Sequence, residues 1–248
     1  MVDVKFVTGD ATNLSFIESN SVDLIIAAPP FINRNPTDYG GDPRKQINFN
    51  SKKMLKLLIK STKEMERVLK PTGSIWIEIS PEDNLMHSYI TEVLKKTNLK
   101  HPDTIIHKIL DDENKSNIDE AIYKDWFLWF HLVKDDKAFY SNPFKVKKFR
   151  DPIWYLNNTN REDIVDKTLR LNYPKIVNYT VIKDIPERFI EMYTKEKALV
   201  LDPFGGSGTV AYAAYTMNRN AISVDISQEQ TDVAKKRLEV VKAMQENV

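Results

Sequence analysis

The stretch Ala198-Leu-Val-Leu-Asp-Pro-Phe-Gly-Gly-Ser-Gly-Thr-Val-Ala211 decides the fold. Residues 198–204 read as a buried strand, 209–217 as a helix and 221–225 as a second strand. Glycine is scarce, seven in 248 residues, yet Gly205, Gly206 and Gly208 fall together at the strand-to-helix junction. The backbone there must turn tightly or approach something closely. Strand, glycine turn, helix and strand form the opening of a doubly wound parallel sheet. Residues 226–248 hold little beyond an amphipathic helix over 228–245, so the remaining strands must lie earlier in the chain.

They are legible near the other end. Val4–Val7 leads into Gly9-Asp10, Val22–Ala27 leads into Pro29-Pro30, and Ser74–Ile79 follows Lys70-Pro-Thr-Gly73, each a β-rich run bounded by turn residues. Between them, Met54, Leu58, Met65 and Leu69 keep helical spacing, and residues 84–98 read as a further helix. Residues 123–133, the pair Asp135-Asp136 and residues 137–140 read as a hairpin at one edge. The expected architecture is α/β: a Rossmann-like, doubly wound, mostly parallel sheet with that antiparallel hairpin. From Ser141 to Tyr179 the pattern dissolves into Pro, Asn, Lys and Arg with Trp154, Tyr155 and Tyr173 interspersed. Residues 141–179 are therefore expected to be a small recognition insertion in a catalytic domain of residues 1–140 and 180–248.

Composition narrows the function. Lys and Arg number 36 against 35 Asp and Glu, and 42% of residues are hydrophobic, which suits a soluble domain. No stretch approaches the ~18 apolar residues of a membrane span, and the N-terminus lacks the pattern of a signal peptide, so an intracellular protein is expected. With no cysteine and no H-E-x-x-H spacing among four histidines, a metal site is not expected. A net charge of +1 means that any nucleic-acid footprint must be local, as in the basic run Lys145-Val-Lys-Lys-Phe-Arg150.

Gly206-Ser-Gly-Thr-Val-Ala211 satisfies G-x-G-x-x-A, and Asp225 closes the next strand where an acid can meet ribose hydroxyls. Together they point to a nucleotide-like ligand, against the blander alternative of a tight turn with no ligand. The acidic, bulky entry Asp202-Pro-Phe204 disfavours a pyrophosphate, and with it a nicotinamide-dependent oxidoreductase. Ala28-Pro-Pro-Phe31 closes an apolar strand at the sheet's carboxyl edge, where such folds bind ligands. The two prolines stiffen the turn and remove backbone donors, leaving carbonyl oxygens to accept from a substrate amine, and Phe31 can stack on a base. A base so reached must leave its duplex.

These residues resemble the amino-group DNA methyltransferases that use S-adenosylmethionine. Asp202-Pro-Phe-Gly-Gly-Ser-Gly-Thr209 is similar to that family's cofactor motif, Asp225 to its ribose-binding acid and Gly9-Asp-Ala11 to the turn that meets the cofactor's adenine. The resemblance thus implies cofactor contacts at Asp10, Ala11, Asp202, Phe204, Gly205, Gly206, Gly208, Thr209 and Asp225. Pro29-Pro-Phe31 resembles the catalytic motif, and its place before the cofactor motif resembles the circularly permuted β class. The likeness extends through residues 67–74, 129–134 and 185–188. It implies double-stranded DNA as partner, with a homodimer as one option and no membrane, in the cytoplasm of a bacterium or phage-infected cell. Restriction–modification is the setting that the resemblance implies, and the sequence leaves open whether a cognate restriction enzyme exists.

Position 28 departs from the pattern. The family has Asp, Asn or Ser before Pro-Pro, a side-chain acceptor that holds the reacting amine, and Ala28 has none. Severe impairment is expected, with an engineered substitution the first account, a naturally silent DNA-binding protein the second and unusual chemistry a distant third. Adenine is favoured slightly over cytosine: the run Leu24-Ile-Ile-Ala27 resembles adenine enzymes, whereas Thr37-Asp-Tyr-Gly40 resembles members with Ser, many of them cytosine-type. Arg34, Arg44 and Lys45, in a long connection after the motif, and Lys145, Lys147, Lys148 and Arg150 are the expected DNA contacts, against the alternative of ordinary solvated charge.

Overall fold

The structure, a computed structural model, describes residues 2–30, 51–79, 86–110, 126–157 and 181–246. In chain order these form β1 (Val4–Thr8), β2 (Val22–Ala27), α1 (Ser51–Val68), β3 (Leu69–Ile79), α2 (Met86–Lys96), β4 (Thr104–Leu110) and β5 (Trp126–Val133). Then follow α3 (Pro143–Lys148), β6 (Ile153–Asn157), α4 (Asp184–Tyr193), β7 (Leu199–Asp202), α5 (Thr209–Thr216), β8 (Asn220–Asp225) and α6 (Gln228–Glu246). All eight strands join one sheet in the order β1-β8-β7-β2-β3-β5-β4-β6. Among the described residues, only the two strand pairings of β5, with β3 and with β4, are antiparallel.

The apolar runs that lack alternation become central strands buried on both faces. In β2, Ile25 and Ala27 join one core cluster with Met54, Leu58 and Met65 of α1 and Tyr89 of α2, whereas Leu24 and Ile26 join the other. That second cluster holds Trp76, Trp129 and Trp154 against Ile185, Phe189 and Ile190 of α4 and Val210 and Ala211 of α5. At the amino edge, the Asp23 carboxylate accepts from Lys70 Nζ at 2.7 Å and from the Leu199 N–H at 2.9 Å, pinning β3 and β7 to β2.

Winding from β2 through α1 reaches β3 on one side, and winding from β7 through α5 reaches β8 on the other. The order therefore reverses between the neighbours β7 and β2, which opens a crevice at their carboxyl ends. The register continues this edge sideways. Ala27 pairs with Ile77, Ile79 with Leu128, Leu128 with Ile106 and Ile106 with Ile153, so β6 begins level with Pro29 and rises past it. Pro30, Ile79, Leu110 and Asn157, which precede four segments outside the described residues, thus all stand at or beyond the edge that carries the crevice.

The expected doubly wound sheet is present, with four differences in detail. β3 starts at Leu69: residues 70–73, read as a turn, form a bulge between the pairs Val22↔Leu69 and Leu24↔Ser74. The antiparallel strand expected over 123–133 is described over 126–133, and its partners are β3 and β4 rather than residues 137–140. Those residues turn under the sheet, where Phe139 meets the His131 ring edge-on at 5.1 Å. Residues 143–157, read as part of the insertion, instead supply α3 and β6; Trp154 and Leu156 are buried, and alternate burial carries the strand despite its polar surroundings. Two elements, β4 and α4, have no counterpart in the sequence reading.

Phe189 stacks on Trp76 with centroids 4.4 Å apart and meets Trp129 and Trp154 at 5.3 Å. Phe189→Ala should cost about 3–5 kcal/mol, read as a lower urea midpoint at unchanged slope.

Candidate active site

The chain leaves β7 at Asp202, and its side chain closes the turn by accepting the Phe204 N–H at 3.0 Å. Two residues of the next loop, Gly206 and Gly208, are then fixed from β8 and α6. Asp225 Oδ2 accepts the Gly206 N–H at 2.8 Å while Oδ1 accepts that of Ser227, also at 2.8 Å. Gly208 takes φ +84°, and a Cβ there would stand 2.8 Å from that of Ala234, so both conformation and space demand glycine. Gly208 caps α5 without a side-chain hydrogen bond, whereas nothing lies within 4 Å of where a Gly206 Cβ would be. The loop is thus packed hard behind and open in front.

β1 completes the site. The Gly9 N–H donates to the Asp225 carbonyl at 2.9 Å, and Asp10 Oδ1 accepts the Thr12 N–H at 2.8 Å, holding the Asp10 turn beside the Asp225 strand end. Asp10 is exposed there while Ala11 is buried beneath it. Ile226 is 69% exposed immediately after Asp225, an apolar surface at a polar strand end. No sequence pattern marks it, because one exposed isoleucine carries none.

Electrostatics favour a cationic ligand. Burial pushes the Asp202 carboxyl up to about 8, the Phe204 N–H opposes this, and the Asp225 charge adds to it. Burial also raises Asp225, against the two N–H groups that it accepts. A ligand bearing positive charge relieves both acids. S-adenosylmethionine, with its ammonium and sulfonium groups, fits this acid pair, the open face at Gly206 and the strand-end carboxylate of Asp225.

On the other side of the crevice, the pairs Leu24↔Val200 and Ile25↔Leu201 bring Ala28-Pro29-Pro30 out beside the Asp202 loop. Ala28 is half-buried against the α4 and α5 side of the core and Pro29 is buried. Phe31, Arg34, Arg44 and Lys45 lie outside the described residues.

Several expectations change. Thr209 turns its hydroxyl to α6, where Arg237 Nη1 donates to it at 2.8 Å, so its side chain does not face the crevice. Trp154, read as a base contact, is 3% exposed and gives its N–H to the Phe149 carbonyl at 3.2 Å. Lys145 pairs with Glu191 at 3.0 Å, while Lys147, Lys148 and Arg150 are exposed and Tyr155 is 58% exposed. Trp129 and Phe130 are core residues, in keeping with the two-face burial expected of their strand. A second constellation has a relay-like order, with Ser74 Oγ 3.0 Å from His131 Nε2 and Asp103 Oδ2 3.5 Å from Nδ1. Ser74 and His131 are sealed beneath Trp76, stacked 4.5 Å from the imidazole, so this is a bond between β3 and β5 and not a reactive site.

Comparison with known proteins agrees with this geometry. The N6/N4 methyltransferase family model, described as DNA methylase, matches residues 22–236. The type II methyltransferase M.HpaI of Haemophilus parainfluenzae is 28% identical over 96% of this chain and 75% of its own length. M.HinfI of Haemophilus influenzae is 28% identical over 92% of this chain and 66% of its own. The chain thus spans two thirds to three quarters of these relatives. The cytosine-N4-specific PvuII DNA methyltransferase superposes with a TM-score of 0.76 over 96% of this chain and 86% of that one, at 18% identity. The M1.HpyAVI complex with S-adenosylmethionine superposes at 0.65, over 96% and 99%, at 22% identity. A glycine loop suited to a cationic nucleoside, a Pro-Pro turn across the crevice and this match place the chain in the family of S-adenosylmethionine-dependent N6/N4 DNA methyltransferases.

Proposed function

We propose that the chain is a β-class enzyme of a restriction–modification pair in bacterial or phage-infected cytoplasm, acting on the exocyclic amine of a base flipped from double-stranded DNA. Adenine is favoured over cytosine, and Ala28 holds this form of the chain nearly inactive. The observation that carries the reading is the shared switch point: the Pro-Pro turn and the glycine loop leave adjacent strands into one crevice.

When bound, S-adenosylmethionine supplies an electrophilic methyl group. Asp225 would accept the ribose hydroxyls, Asp10 and Ile226 would border the adenine, and Asp202 would face the cationic end. Pro29 and Pro30 leave carbonyl oxygens free for the base amine, which gives up a proton as it is methylated. Asp or Ser at position 28 would hold that amine and raise electron density on its nitrogen, and Ala28 cannot. Residues 158–179 are assigned to target recognition, because Asn157 ends β6 beyond the level of Pro29 and Asp184 starts α4 at the same edge. Lys147, Lys148 and Arg150 are assigned to the DNA backbone, with Tyr155 on the risen strand beside them.

Ala28→Asp or Ala28→Ser should raise tritiated methyl transfer to DNA by about 100- to 1,000-fold, the usual worth of a transition-state hydrogen bond. Digestion should then yield N6-methyladenine; N4-methylcytosine would reverse the base assignment, and no gain despite cofactor binding would favour the silent DNA-binding protein. Replacing Lys147, Lys148 and Arg150 by Ala should weaken DNA binding across sequences and flatten its salt slope by about 0.9 for each phosphate that is no longer neutralised. An unchanged slope returns these charges to solvent.

A further inference from the structure

Arg237 of α6 is fully buried, an expensive place for a guanidinium. Its Nη1 donates to Thr209 Oγ1 at 2.8 Å and lies 3.3 Å from the Ser207 carbonyl and 3.4 Å from the Ser207 hydroxyl. The guanidinium carbon sits 5.3 Å over the Tyr212 ring. Its oxygen partners thus bracket Gly208, the one residue of the turn in the left-handed region that also touches α6, through Ala234. Ser207 and Thr209 are themselves buried, at 6% exposure each, so the hydrogen bonds run through the back of the loop whose front faces the crevice.

Packing alone does not call for a charge here. An apolar side chain of similar volume would fill the space beside Tyr212, and such replacements of buried ions are often neutral or stabilising. One donor nitrogen shared between Thr209 and Ser207 adds direction. It fixes the spacing of Ser207 and Thr209, and hence the angle at which the Gly206 and Gly208 backbone meets a ligand. We propose that Arg237 is a positioning residue for the S-adenosylmethionine loop, acting through Ser207 and Thr209 and touching neither cofactor nor base.

The test is calorimetric titration of S-adenosylmethionine into Arg237→Met, Arg237→Lys, Thr209→Val and the Arg237→Met/Thr209→Val double variant, each also unfolded in urea. The cofactor Kd should weaken about tenfold in Arg237→Met and less in Arg237→Lys, which keeps the charge and a donor but not the planar guanidinium. Those losses should exceed what any change in unfolding midpoint accounts for. Thr209→Val should weaken binding as well, and the double variant should be no worse than Arg237→Met, since the Arg237–Thr209 bond is already lost there. A shifted midpoint with unchanged Kd makes Arg237 a purely structural residue, and additive losses in the double variant show that it does not act through Thr209. Either result overturns the proposal. Should Arg237→Met fail to fold, Arg237→Lys and Thr209→Val carry the same comparison, and an unchanged Kd in both overturns it equally.

Discussion

One carboxylate organises the functional edge of this molecule. Asp225 accepts the N–H of Gly206 through one oxygen and that of Ser227 through the other, and its own carbonyl accepts the N–H of Gly9. Three chain segments therefore end on a single residue: the glycine loop and the turn after β1, both distant in sequence, and the start of α6 that follows it. Gly205 fits beneath this junction only because it lacks a side chain, since a Cβ would collide with the Ser223 hydroxyl. The arrangement is costly for the acid, whose burial raises its pKa, and the two N–H groups offset only part of that cost. A cationic ligand would offset the remainder, so the cost carried by the loop and its preference for such a ligand have the same origin.

The sheet order turns this local device into a bipartite site. Because winding reverses between β7 and β2, the helices that follow those strands depart in opposite directions and leave the strand ends uncovered. The glycine loop and the Pro-Pro turn meet there without needing any sequence proximity, which is why a permuted motif order is compatible with one crevice. The antiparallel β5 then lifts β4 and β6 past the carboxyl ends of the central strands, and the crevice gains a wall on its far side.

Much of this is legible in the sequence, for identifiable reasons. Central strands such as Leu24–Ala27 announce themselves by unbroken apolar runs, and the clustering of three of seven glycines marks a backbone constraint wherever it occurs. What escapes lies where burial is one-sided or tertiary. β6 alternates Trp154 and Leu156 inward with Tyr155 outward amid Pro, Asn and Asp, and five residues are too few for periodicity to show. α4 hides behind Pro186, which sits in its first turn where a missing N–H costs nothing. Thr209 reads as a ligand contact because the motif ends on it; only the partner from α6, 28 residues away, shows its hydroxyl to be occupied. Trp154 illustrates the converse, since an aromatic among basic residues reads as a surface contact until its core neighbours are known.

The proposed site stands on the cofactor's cationic end lodging against Asp202. In the free protein, the folded-state pKa of Asp202 is raised above its unfolded value to about 8, so its contribution to stability is present below pH ~4 and lost as pH rises through 8. At pH 7 the carboxyl is largely protonated, and a cationic ligand that favours the ionised form must expel that proton. Calorimetric titration of S-adenosylmethionine at pH 7, in buffers of different ionisation enthalpy, measures this directly. Proton release should approach one per cofactor bound and be reduced in Asp202→Asn, and affinity should increase as pH rises toward 8. Tight binding with no proton release, or release unaltered by Asp202→Asn, would contradict it.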